Sequence, residues 1–316
     1  MGHSLRTLGV TVLLASVLGS ATACGSSSSA GSADGGDKPI EVIAGFYPLR
    51  FIAERVGGDQ VQVTNLTDPG AEPHDLELSP RQVADIGKAG LLIYLAGLQP
   101  ELDAAVKSEA GDRAFDVATV EALRPAPPGA EEEEEHAGEE HANEGMDPHV
   151  WLDPTRFAAI VDALAGRLAA IDAEHAADFR SRAATLRGDL EALDREYTTG
   201  LANCQRRDIV TSHAAFGYLA QRYRLEQIPI TGINAEGEAG PQQVTAVAEL
   251  ARQRGATTIF FETLVSPKLA ETIANEVGAK TDVLDPIEGL KDGSAEDYLS
   301  IMRANLGRLR AALGCV

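Results

Sequence analysis

The chain is 316 residues long and sets 27 lysines and arginines against 48 aspartates and glutamates, a formal net charge of −21. That excess repels phosphate backbones and argues against a nucleic-acid partner, while it suits cations. Apolar residues make up 44% of the chain, and its length favours two lobes over one core.

The chain opens with an export signal. Arg6 supplies a short basic region, and residues 8–18 form an apolar stretch too short to span a bilayer. Ala21-Thr22-Ala23-Cys24 follows as a small-residue cleavage site, and then a Gly/Ser tract. We expect residues 1–23 to be a signal peptide, Cys24 to carry lipid and residues 24–38 to form a flexible tether. The mature protein would then work outside the cytoplasm, lipid-anchored at the cell membrane or periplasmic. In an oxidising compartment the two remaining cysteines, Cys204 and Cys315, are expected to pair as a disulfide. A two-thiolate zinc site is the competing reading, and it lacks CxxC spacing.

From residue 40 the pattern alternates strand and helix. Strands are predicted at 40–44, 61–66, 91–95 and 115–118. Helices are predicted at 49–56, stopped by Gly57-Gly58, and from Pro80 through Lys88, capped by Ser79. The unbroken apolar run at 91–95 suits a strand covered on both faces. Residues 125–145, rich in Pro, Glu and His, have little to bury and read as a mobile acidic loop. A helix starts at Asp153 or Thr155, with Ile160, Val161, Leu164 and Leu168 at helical spacing. A second helix, over 173–203, would be roughly 45 Å long if unbroken. The strand–helix rhythm then resumes, with strands at 208–211, 227–230, 257–261 and 281–284. Its helices are predicted at 214–223, 241–253, 267–277 and 295–313.

The expected fold is therefore α/β. Two lobes with mainly parallel sheets, residues 39–172 and 204–316, are joined by a long rigid linking helix over 173–203 that limits hinge motion.

Three histidines sit at the ends of strand–helix units. His74 lies in the loop after the second strand, and His149 in a Pro-flanked turn. His213 follows the strand at 208–211, while His175 in the charged helix reads as solvated. Ligands in open α/β sheets bind beyond the carboxyl ends of strands, so these loops are expected to converge on an interlobe cleft. Asp285, directly after the last strand, occupies the equivalent place and completes an N3O donor set suited to one Zn2+. Glu262, at the end of Ile259-Phe260-Phe261-Glu262, is expected to orient one of the histidines.

Four segments carry a resemblance. They are Glu72-Pro73-His74-Asp75-Leu76-Glu77-Leu78-Ser79-Pro80, residues 146–154 (Met-Asp-Pro-His-Val-Trp-Leu-Asp-Pro), Thr211-Ser212-His213-Ala214-Ala215-Phe216-Gly217-Tyr218 and Leu284-Asp285-Pro286. In matching order from about residue 40 to the C-terminus, the chain resembles the solute-binding proteins of zinc and manganese ABC transporters. The resemblance implies two α/β lobes, one metal between them, and the ligands His74, His149, His213 and Asp285. Histidine at 213 points to a zinc-type member, since manganese-type members tend to have Glu there.

It also implies high-affinity delivery of Zn2+ to an ABC permease, by a monomer with a metallochaperone as a further expected partner. His136 and His141, in the acidic loop, are expected to collect Zn2+ transiently near the cleft. Manganese is the alternative cargo. A secreted zinc hydrolase and a metal-dependent adhesin are the rival functions, and the hydrolase reading lacks both HExxH and GxSxG.

Overall fold

The computed structural model describes residues 38–127, 145–235, 237 and 239–316. Cys24, His136 and His141 lie outside the described residues, as do the expected signal peptide and most of the acidic loop.

The first half runs β1 (Ile40–Ala44), α1 (Tyr47–Gly57), β2 (Val61–Asn65), α2 (Pro80–Ile86), β3 (Leu91–Tyr94), α3 (Pro100–Ala105) and β4 (Ala114–Asp116). These strands form one parallel sheet in the order β2-β1-β3-β4. Two short strands, β5 (Arg124–Pro125) and β6 (Met146–Asp147), pair antiparallel. They bring the two ends of the acidic loop together, and sequence patterning gave no hint of them. The helix α3 was not expected either.

Two long helices follow, α4 (Pro154–Ile171) and α5 (Ala176–Gly200). Asp153 caps α4 by accepting from the Thr155 and Arg156 amides, and Pro154 takes the first position, where a missing N–H costs nothing. Between the helices Asp172 accepts from the Glu174 and His175 amides and from His175 Nδ1 at 2.6 Å. His175 is therefore a half-buried partner in the break rather than a solvated residue. The break shortens the second helix to 25 residues, about 38 Å against the roughly 45 Å expected. α4 and α5 pack side by side, tied by Arg187 to Asp162 at 3.0 Å.

The second half runs β7 (Asp208–Thr211), α6 (Gly217–Tyr223), β8 (Glu226–Pro229), α7 (Pro241–Gln253), β9 (Thr258–Phe261), α8 (Lys268–Val277), β10 (Lys280–Val283) and α9 (Tyr298–Leu313). Its sheet is also all parallel, in the order β8-β7-β9-β10. Each sheet thus reverses its strand order beside its first strand, and such switch points are where α/β sheets hold ligands.

One hydrophobic cluster threads both halves, taking in α1, α4, α5 and α9. Phe51 stacks on Tyr298 with ring centroids 5.5 Å apart, and Tyr47 Oη accepts from the Tyr298 amide at 3.0 Å. A disulfide joins Cys204, before β7, to Cys315, after α9. α5 is therefore packed into this shared core.

Candidate metal centre

His74 follows β2, and a buried amide holds its loop. Gln99 Nε2 donates to the Pro73 carbonyl and to Thr67 Oγ1, each at 3.1 Å, and more weakly to the Gly45 carbonyl. Glycine at 45 leaves room for this amide, since a Cβ there would sit 2.6 Å from Gln99 Oε1 and force it to shift. The Gly70 amide donates to the Leu290 carbonyl at 2.8 Å, so this loop also meets the segment after β10.

His149 follows β6. Asp147 Oδ1 accepts from the His149 amide at 3.0 Å and lies 2.8 Å from its Nδ1. His213 follows β7, and Glu262, one residue past β9, repeats the arrangement. Its Oε1 lies 2.7 Å from His213 Nδ1 and 3.2 Å from the His213 amide. A proton held at Nδ1 by a carboxylate leaves Nε2 as a lone pair, which is the form a metal requires.

The Nε2 atoms of all three histidines converge on Glu288. Its Oε1 lies 2.9 Å from His149 Nε2, 3.2 Å from His213 Nε2 and 3.7 Å from His74 Nε2. The two Nε2 atoms of His149 and His213 are 3.2 Å apart. All four donor atoms lie within 4.8 Å of one another, and this is the only such group among the described residues. Donors about 2.0–2.1 Å from a tetrahedral zinc stand roughly 3.3–3.4 Å from each other, so the four separations given above lie within about half an ångström of that spacing. His149 and His213 are fully buried and Glu288 nearly so.

Asp285 is not in this group, and Glu288 takes the fourth place expected for it. The Asp285 carboxylate is turned onto its own loop, where Oδ1 accepts from the Ile287 amide at 2.7 Å and Oδ2 from Thr263 Oγ1 at 2.8 Å. Strand-end reasoning picked the first carboxylate after β10. The carboxylate that meets the imidazoles is the next one along, three residues further on. Glu288 was legible only as a second acid in the same loop, and Asp147 only as part of the Met-Asp-Pro-His segment.

The site's electrostatics follow from burial and close pairing. Burial favours neutral His149, but hydrogen bonds to Asp147 and Glu288 outweigh it and raise its pKa. Burial likewise opposes the charge on His213, and the Glu262 and Glu288 carboxylates overcome it, raising its pKa well above the usual value. His74 goes the other way, since burial dominates and lowers its pKa. Burial pushes against ionisation of Glu288, yet the imidazoles hold it well below the carboxylate range. Burial also lifts Asp285 to about 6 and, with help from the Glu288 charge, Glu72 to about 9.

Comparison with known proteins places the chain among relatives. A family model described as zinc-uptake complex component A, periplasmic (ZnuA), matches residues 42–312. The chain is 32% identical over 297 residues to the high-affinity zinc uptake system protein ZnuA of Bacillus subtilis, covering 92% of this chain and 93% of that one. It is 34% identical over 286 residues to the zinc-binding lipoprotein AdcA of Streptococcus pneumoniae, covering 87% of this chain and 56% of AdcA. The chain thus spans about half the length of the streptococcal AdcA proteins it matches. Among solved structures it is similar to the laminin-binding protein Lmb of Streptococcus agalactiae, described as a bifunctional protein with adhesin and metal transporting activity. That match has a TM-score of 0.75 and 29% identity, over 87% of this chain and 99% of that one.

Proposed function

The chain belongs to the zinc-uptake complex component A family, and on that premise we propose that it is a high-affinity extracytoplasmic protein that binds Zn2+ and hands it to an ABC permease for import. The observation that carries the reading is the buried meeting of His74, His149, His213 and Glu288. Three imidazole nitrogens and one carboxylate oxygen suit zinc, whereas manganese favours more oxygen donors.

Zn2+ is the cargo, and the protein is a carrier rather than an enzyme. Four protein donors fill a tetrahedral shell and leave no position for a reactive water, which a zinc hydrolase needs. Release then requires the shell to be opened, and docking of the permease would supply that. The donors come from loops of both halves, so a small shift of one half or one loop separates them.

The rest of the reading follows the sequence. Residues 1–23 act as a signal peptide and Cys24 as a lipid anchor, on a tether over 24–38, and the lipoprotein name of the pneumococcal relative supports this. The body divides into lobes at 39–172 and 204–316 linked through the segment 173–203, whose helix is α5, and it works as a monomer with the permease and a metallochaperone as partners. His136 and His141 gather zinc near the site, and their loop is tied by β5 and β6 to the residues just before His149. A second reading, a metal-dependent adhesin, is favoured by the likeness to Lmb.

The test is calorimetric titration of the metal-stripped protein with Zn2+ and Mn2+, alongside His149→Ala. One tight zinc site, much weaker manganese binding and a large loss in the variant are expected. No tight site, or an affinity indifferent to His149, would overturn the carrier reading.

A further inference from the structure

Between β10 and α9 the chain makes a turn whose geometry neither packing nor sequence preference explains by itself. Ile287 has φ +61°, a left-handed conformation that a β-branched residue very rarely adopts. Its side chain is fully buried. The conformation persists because its neighbours over-determine it. Asp285 Oδ1 accepts from the Ile287 amide, closing a short side-chain turn, and Thr263 Oγ1 holds the other carboxylate oxygen.

Asp285 is in turn gripped through its backbone. Its amide donates to Asn305 Oδ1 at 3.0 Å, and its carbonyl accepts from Asn305 Nδ2 at 2.7 Å. Asn305 is fully buried on α9, and its side-chain amide bonds through both its oxygen and its nitrogen to this one residue. The Pro286 carbonyl accepts from Trp151 Nε1 at 2.8 Å. Every residue from Asp285 to Ile287 is thus pinned, and the next residue is Glu288.

We propose that Asp285 and Asn305 are positioning residues, which hold the left-handed turn at Ile287 so that the Glu288 carboxylate meets the three imidazoles. The proposal rests on the zinc reading above and assigns Asp285 to the turn rather than to the metal. Asparagine at 285 keeps the oxygen that the Ile287 amide needs, and Thr263 can rotate its hydroxyl to accept instead of donate. Alanine at 285 removes the turn.

The experiment compares Asp285→Asn, Asp285→Ala, Asn305→Ala and Glu288→Gln by Zn2+ competition against a chelating dye. Each is also titrated with Co2+, whose visible absorption reports coordination number and donor set. Glu288→Gln is expected to lose about 100-fold or more in zinc affinity. Asp285→Asn should stay within about threefold of the unmutated protein, with an unchanged Co2+ spectrum. Asp285→Ala and Asn305→Ala should each lose about 10–100-fold and show the weaker Co2+ absorption of a higher coordination number.

An Asp285→Asn loss as large as that of Glu288→Gln, with an altered spectrum, would make Asp285 a ligand and overturn the proposal. So would normal affinity and spectra in both alanine variants. If the alanine variants do not fold, Asp285→Asn still decides, because a ligand's loss and a turn's survival give opposite results. Failure of the unmutated protein to take up one zinc ion would instead overturn the zinc reading, and this proposal with it.

Discussion

Glu262 grips His213 at two points, its Oε1 lying 2.7 Å from the ring Nδ1 and 3.2 Å from the same residue's backbone nitrogen. One carboxylate oxygen therefore sets both the ring's proton and the path of the loop that carries it. Glu262→Ala should lower zinc affinity about 10–100-fold, and Glu262→Gln, which keeps an acceptor but not the charge, should lose less. Competition titration of the two variants measures this. Equal affinities for Glu262→Ala and the unmutated protein would show that packing alone orients His213.

The pH dependence of the metal-free protein and that of zinc binding should run in opposite directions. The raised pKa values of His149 and His213 contribute stability that is complete below the unfolded histidine value of about 6.5 and is lost as pH rises through the folded values. Protonated, the two rings face Asp147, Glu262 and Glu288, while His74, with its lowered pKa, stays neutral. Glu288 acts in the other sense, since its lowered pKa gives stability above the unfolded carboxylate range that is lost on acidification. The metal-free Tm should therefore peak at mildly acid pH and fall as pH rises. Zinc must displace the same protons, so its affinity should climb over that interval. Scanning calorimetry and titration across about pH 5–9 would follow both trends, and a zinc affinity flat with pH would contradict this account.

The Cys204–Cys315 bond closes a loop with a sequence separation of 111. In the chain-entropy model its removal costs about 4–5 kcal/mol, or roughly 10 °C in Tm for a chain of this size. The cysteines lie at the amino end of β7 and beyond α9, away from the strand ends that carry the donors. A Cys204→Ser/Cys315→Ser variant should thus melt earlier yet bind zinc as before. A matching fall in zinc affinity would mean that the bridge supports the site.

Gly217 opens α6 with ordinary helical backbone, where alanine would normally stabilise. A Cβ there would stand 2.6 Å from Asp147 Oδ2 and 2.9 Å from Arg124 Nη1. Arg124 can move aside. Asp147, buried and bonded to His149, cannot swing without loosening that ring. Gly217→Ala should therefore fold but bind zinc about tenfold more weakly, a loss comparable to that of other groups behind a ligand. Unchanged affinity would show that Asp147 yields at no cost to His149.

Most of the fold was legible because hydrophobic periodicity reports burial. The unbroken apolar run at Leu91 to Tyr94 is a central strand, and Ser79-Pro80 begins a helix with a full capping box. The β5–β6 ribbon was hidden because two-residue strands have no period. The break at Asp172 to His175 was hidden because side-chain capping, rather than Gly or Pro, makes it. The histidines were legible from their places after strands. Glu288 was not, because which of two acids in one loop faces inward depends on the backbone between them. Here a left-handed isoleucine decides it, and no propensity scale predicts one.

Trp151 is the chain's one tryptophan. Its ring centroid stands 5.2 Å from that of His149 and 4.9 Å from that of Phe46, fully enclosed. Indole emission is quenched by a nearby protonated imidazole and responds to the field of a nearby cation. The protein thus carries its own optical probe beside the donor set, with no second fluorophore of that kind to dilute the signal. Loading, unloading and the protonation of His149 can each be followed in real time without a label.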